Sequence, residues 1–163
     1  MVTDEFINLN QLSILLADDD YDDCIFFKEA LAELSLSAKL STVHDGEKLM
    51  DWLSTFSILN PEATDNLPHV LFLDLNMPRQ SGFDCLIKIK QMERLKNIPI
   101  VIFSTSLDMD VVDLLYNSGA DYYICKPSEF SALKSIILEA LNRTCTHTLT
   151  KSKREQFILQ SQH

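Results

Sequence analysis

Five aspartates fall within six residues of the stretch SILLADDDYDD: Asp18, Asp19, Asp20, Asp22 and Asp23. Like charges this close raise the cost of ionising one another, so the cluster demands a compensating cation. Elsewhere single polar residues stand at the ends of apolar runs. Asp74 follows HVLFL, Ser104 and Thr105 follow IPIVIF, and Lys126 with Pro127 follows DYYIC. Clustered carboxylate oxygens suit a hard cation such as Mg²⁺ or Mn²⁺ that keeps part of its water shell. The question for the rest of the chain is which of these residues the fold brings together.

The elements between them alternate. LSILLA (Leu12–Ala17) is a short apolar run, and Tyr21–Leu34 carries Ile25, Phe26, Ala30 and Leu34 at a helical period. KLSTV (Lys39–Val43) reads as a strand. DGEKLMDWL opens a helix with Asp45 as cap, and STFSILNPEATDNLP reads as a loop. HVLFLDL (His69–Leu75) is apolar on both faces, as in a buried parallel strand. Pro78 and Gly82 interrupt the chain before the helix FDCLIKIKQM. IPIVIFST (Ile98–Thr105) is another buried strand, and DMDVVDLLYNSG is a helix stopped by Gly119. ADYYICK is a fifth strand. SEFSALKSIILEALNR is an amphipathic helix with Ser128 as expected N-cap.

Five strands each followed by a helix predict an α/β fold, a doubly wound five-stranded parallel sheet of the flavodoxin-like (βα)5 kind. Ligands of such folds bind at the carboxyl ends of the strands. That rule gathers Asp18, Asp19, Asp20, Asp74, Ser104, Thr105 and Lys126 on one edge. A calcium loop is the rival reading: Asp18, Asp20 and Asp22 have its D-x-D-x-D spacing, Ile25 its apolar position and Glu29 its twelfth. Its sixth position needs glycine and holds Asp23, and a buried strand precedes it where a helix is required.

Four motifs in order, ILLADD, VLFLDLNMPRQSG, IPIVIFST and GADYYICKP, resemble a response-regulator receiver domain of the chemotaxis-regulator type. The likeness runs from about Leu12 to Arg143. It is nearest to the stand-alone regulators that follow phytochrome-type sensor kinases, which also carry a second acidic pair. The resemblance implies a two-component signalling protein rather than an enzyme. Asp74 would accept a phosphoryl group from a sensor histidine kinase or histidine phosphotransfer protein. Asp18 and Asp19 would hold Mg²⁺ (or Mn²⁺) with Asp74 and the backbone carbonyl of Asn76. Lys126 would pair with the phosphoryl oxygens, on a Lys126–Pro127 bond expected to be cis. Ser104 would swing toward the phosphate, and Tyr123 would turn inward as it did so. Register from Pro99 favours Ser104 over Thr105. Asn76 and Ser106 stand where the family tunes phosphoryl lifetime. The family's signalling face, its fourth helix, fifth strand and fifth helix, would meet a downstream protein.

The bulk numbers agree with that class. The 163 residues are 46% hydrophobic and 23% charged, with a formal net charge of −10. A surface this acidic argues against nonspecific nucleic-acid binding. No apolar run approaches the ~20 residues of a membrane span, and no signal peptide opens the chain. Cys24, Cys85, Cys125 and Cys145 lack zinc-site spacing and read as small buried fillers of a cytoplasmic protein. His44 and His69 read as structural or exposed, Asp22 and Asp23 as first-turn acids, and Asp20 as a rim residue without a role. We expect an N-terminal extension (1–11), a receiver domain (12–143) and a tail (144–163) that is not a second domain, with no output domain visible. The tail could be disordered, pack back on the domain as an extra strand or dock on a partner; Phe157, Ile158 and Leu159 imply packing on a protein surface, its own or a partner's. Monomer and homodimer both stay open. An adaptor that binds partners without phosphorylation is the alternative from another class. A dehalogenase-type phosphatase needs an acid where Asn76 stands.

Overall fold

A computed structural model describes residues 11–59, 67–145 and 151–160. The N-terminal extension before Gln11, the middle of the expected loop (60–66) and tail residues 146–150 and 161–163 lie outside them.

The strands are β1 (Leu12–Ala17), β2 (Ala38–Val43), β3 (Val70–Leu73), β4 (Ile100–Ser104), β5 (Tyr122–Cys125) and β6 (Ile158–Leu159). The helices are α1 (Tyr21–Ala32), α2 (Gly46–Leu59), α3 (Gly82–Gln91), α4 (Met109–Asn117) and α5 (Phe130–Thr144). All pairings are parallel, in the order β2-β1-β3-β4-β5-β6. The direction of strand addition reverses at β1 and β3, which makes their carboxyl ends the switch point.

The period of two along each strand divides the core between the faces of the sheet. Ile14, Leu16, Val70, Phe72, Val101, Phe103 and Ile124 pack under α1 and α5, and the rings of Phe27, Phe72 and Phe103 meet edge to face. Leu15, Ala17, Leu71, Leu73, Ile100, Ile102 and Tyr123 face α2, α3 and α4. Four of the helices begin on a side chain, α2 among them, where Asp45 accepts the Lys48 amide at 2.7 Å as the sequence implied. Asp20 accepts from the amides of Asp22 and Asp23, Ser81 from Asp84 and Asp108 from Asp110.

Four expectations are corrected. Asp20, read as a rim residue without a role, is the N-cap of α1. The loop expected from Ser54 is helical through Leu59: the Thr55 hydroxyl donates to the Asp51 carbonyl at 2.8 Å, so the polar side chain is satisfied inside the helix. Ser128 is not the cap of α5, which begins at Phe130 after Glu129 and has no side-chain cap.

Among the described residues the sheet has six strands, not five. The tail returns to the sheet beside β5, where β6 pairs in parallel, Tyr123 with Ile158 and Ile124 with Leu159. Phe157 is fully buried against Tyr116 and Tyr123. Around it the Tyr116 hydroxyl donates to the Ser152 carbonyl at 2.9 Å, the Ser152 hydroxyl to the Asp121 carbonyl at 2.7 Å, and Arg154 pairs with Asp113 at 2.7 Å. The outer edge of the fifth strand is therefore covered by β6. No helix among the described residues is long and apolar enough to cross a membrane.

Candidate functional site

Asp18 follows β1 and Asp74 follows β3, neighbouring strands at the switch point. The ladder carries on past their ends: the Asp18 amide donates to the Val43 carbonyl at 3.0 Å and the Asp74 amide to the Ala17 carbonyl at 2.9 Å. This places the two carboxyl groups side by side in the interior, with Asp18 fully buried and Asp74 nearly so. Carboxylate oxygens of Asp18, Asp19 and Asp74 all lie within 4.8 Å of one another. Asp18 Oδ1 also accepts the Asp20 amide at 3.0 Å, which turns the chain into α1.

Gly82 positions Asp74 from below. A Cβ at Gly82 would come within 2.1 Å of the Asp74 carbonyl oxygen, so only glycine lets α3 start this close to the strand end. The Gly82 amide donates to the Leu75 carbonyl at 3.0 Å and closes the turn.

Lys126 follows β5, where its amide donates to the Ser104 carbonyl at 2.8 Å. The side chain is almost wholly buried, crosses the Phe103 ring at 5.3 Å, and brings Nζ to 2.6 Å from Asp18 Oδ2, 2.8 Å from Asp23 Oδ2 and 3.9 Å from Asp74 Oδ2. Asp18 Oδ2 has no hydrogen bond of good angle despite that close ion pair, so the oxygen keeps acceptor capacity. Burial pulls the Lys126 pKa down, but the close carboxylates of Asp18 and Asp23, with Asp74 behind them, raise it overall. The ammonium stays charged. Among the described residues no peptide bond is cis, so Lys126–Pro127 is trans, not cis as the resemblance implied. Trans is the lower-energy form by about 0.5–1 kcal/mol, and here the carboxylates aim the lysine.

Asp74 has the opposite balance. Burial is the largest effect and pushes its pKa up from 3.8 to about 7, with Lys126 opposing and Asp18 adding to the rise. The Asn76 amide helps the anion only weakly, at 3.4 Å from Asp74 Oδ1. A carboxyl group that releases its proton only near neutrality, beside two more carboxylates, is a site that gains from a cation. The donors fit one. Three hard carboxylates with an open acceptor on Asp18 match Mg²⁺ or Mn²⁺ far better than zinc or copper.

Ser104 is fully buried, and its hydroxyl lies 3.3 Å from that of Ser106. The Tyr123 hydroxyl donates to the Ser106 carbonyl, and the ring is fully inside. Tyr123 was expected to turn inward only when Ser104 moves; it already lies inward, with Phe157 packed on it. Thr105 is exposed.

The sequence did not single out Asp23 as a partner of Lys126, 103 positions away. A first-turn acid looks the same locally whether it faces water or a buried cation. The signal for Asp20 was available, since an aspartate just before a helical run is an N-cap pattern. His44 is half-buried and His69 exposed, within the reading of both as structural or exposed. His44 Nδ1 lies 3.1 Å from the Asp18 carbonyl, and His69 Nδ1 accepts the Ser13 amide at 2.8 Å. Cys24 and Cys85 are buried fillers; Cys125 and Cys145 are only partly buried. Burial pushes the Cys24 thiol up to about 12.

A parallel sheet of order 2-1-3-4-5, with an acidic cation site and a buried lysine at its switch point, defines a class of α/β protein. Residues 14–138 match the response regulator receiver domain, and the chain belongs to that family, whose members act in two-component systems. It is 30% identical over 126 residues to the probable methanogenesis regulatory protein FilR2 of Methanothrix harundinacea, covering 77% of this chain and 79% of that one. Among solved structures it is similar to the phosphorylated cyanobacterial phytochrome response regulator RcpA, with a TM-score of 0.72 and 29% identity over 85% of this chain and 96% of that one. It is also similar to the Mn²⁺-bound form of response regulator Rcp1, with a TM-score of 0.68 and 27% identity over 87% and 99%.

Proposed function

We propose that this chain is a phosphoacceptor that takes a phosphoryl group on Asp74 from a histidine kinase or histidine phosphotransfer protein and passes the change of state to a protein target. The observation that carries the reading is the buried Asp74 carboxyl group, crowded by Asp18 and within reach of the Lys126 ammonium. The phosphorylated state of RcpA lends support from a similar chain.

An Asp74 oxygen attacks the phosphorus, the P–N bond to the donor imidazole breaks, and its electron pair returns to the ring, which takes a proton from water. Asp18, Asp19, Asp74 and the Asn76 carbonyl would hold Mg²⁺. When bound, the ion supplies positive charge against the phosphoryl oxygens. Lys126 supplies a second positive charge from the β5 side. The Mn²⁺-bound form of Rcp1 supports a divalent ion here. The Ser104–Ser106–Tyr123 group is the element that new contacts to the phosphoryl group would bias.

Two exposed apolar patches suit protein partners. Tyr21 and Ile25 lie one turn apart on α1 beside the acidic end, where a histidine donor must approach. Leu107, just before α4, and Val111 and Leu114 on it are exposed together, on the helix that Arg154 of the tail pairs with through Asp113. We assign the donor to the first patch and the target to the second.

Incubation with acetyl phosphate or phosphoramidate and Mg²⁺ is expected to add one phosphoryl group to the wild type and none to Asp74→Ala, read by intact mass. Equal labelling of the two proteins refutes the assignment.

A further inference from the structure

Lys126 is shared among three carboxylates, and one of them does not belong to the cluster of Asp18, Asp19 and Asp74. Asp23 lies on the first turn of α1, where Asp20 fixes the backbone by accepting its amide at 3.1 Å. From there Asp23 Oδ2 takes a hydrogen bond from Lys126 Nζ at 2.8 Å, while Asp74 Oδ2 is 3.9 Å away. An ammonium has three donors. One is donated to Asp23, the ion pair with Asp18 at 2.6 Å holds the ammonium on the same side, and the side chain is only 9% exposed. A charge-assisted bond to a phosphoryl oxygen needs a donor at about 2.7–2.9 Å.

We propose that Asp23 is a positioning residue: it tethers Lys126 toward α1 in the resting site, and the lysine must leave it to serve a phosphoryl group on Asp74. This rests on the reading of Asp74 as phosphoacceptor. Asp23 thereby weakens the hold of the site on a phosphoryl group, to the extent that its own ion pair with the lysine is favourable. The pair is partly exposed on the aspartate side, 35%, which limits it to the strength of a surface pair.

The test is titration of the full chain with beryllofluoride, an aspartyl-phosphate mimic, at saturating Mg²⁺, followed by fluorine NMR. Asp23→Asn keeps the shape of the side chain and removes its charge, and is expected to bind about 3- to 6-fold more tightly than wild type. Asp23→Glu restores the charge and is expected to return toward the wild-type affinity. Asp22→Asn removes an equal charge from the same turn and is expected to change little. An Asp23→Asn affinity equal to or weaker than wild type overturns the proposal. So does an Asp22→Asn gain as large as that of Asp23→Asn, which would reduce the effect to a general field. Failure of the underlying reading looks different: the wild type would not bind beryllofluoride, or Asp74→Asn would bind it equally well.

Discussion

Replacing Asp74 by asparagine should stabilise the metal-free protein at alkaline pH and do almost nothing near pH 4. The amide imitates the protonated carboxyl group, which is the form that burial favours. In the folded chain the Asp74 pKa is raised from 3.8 to about 7. Below pH 4 both folded and unfolded chains carry the proton, and the acid costs nothing. Between about 4 and 7 the unfolded chain has lost it and the folded chain has not, so the folded state binds more protons and stability falls as pH rises. Above 7 the full cost is present. At roughly 1.4 kcal/mol per pH unit the displacement sets a ceiling of about 4 kcal/mol. Lys126 and Asp18 readjust around the new charge, so about 2–4 kcal/mol is expected. For a chain of this length that is roughly 5–15 °C in melting temperature. Urea denaturation in EDTA at pH 4.5, 6 and 8 should show the gap between Asp74→Asn and wild type opening with pH. A gap of the same size at all three values, or a wild type more stable than the variant at pH 8, refutes the argument from burial.

Three further outcomes follow from the same geometry. Millimolar Mg²⁺ should raise the wild-type melting temperature, and Asp19→Ala should abolish the rise; a rise that survives would remove Asp19 from the ligand set. Gly82→Ala forces a Cβ into the Asp74 carbonyl, so it should cost about 1–3 kcal/mol of stability and weaken Mg²⁺ binding measured by calorimetry. Unchanged metal affinity would mean that Asp74 does not depend on this contact. Phe157→Ala empties a fully buried site and should cost about 3–5 kcal/mol in denaturant, whereas a loss below about 1 kcal/mol would show the tail to be dispensable to the fold.

The parts of the molecule written in local patterns were legible beforehand. LSILLA is bounded as a strand from Leu12 to Ala17, as read, because a buried parallel strand is a continuous apolar run with acids at its exit. The convergence of Asp18 and Asp74 followed from topology alone, since parallel strands deliver their ends to one edge. Contacts decided by distant partners were not legible. The extra strand was one of three readings of the tail, but two residues carry no periodic signal to choose it, and their pairing depends on Phe157 packing against Tyr116 and Tyr123. Asp23 became a partner of Lys126 only once α1 and β5 were docked. Ser54 and Thr55 resembled a loop because such side chains compete with backbone bonding, yet Thr55 settles that competition within its own helix.

The sixth strand also changes how the molecule is to be handled. The family match ends at residue 138, and a chain trimmed near that point would lose Phe157, Ile158 and Leu159. The outer backbone groups of β5 would then lie bare, beside an apolar hollow lined by Tyr116 and Tyr123. An exposed strand edge of that kind recruits other strands. Dimers or aggregates of a shortened version would thus report the cut, and binding studies of this protein require the sequence through Leu159.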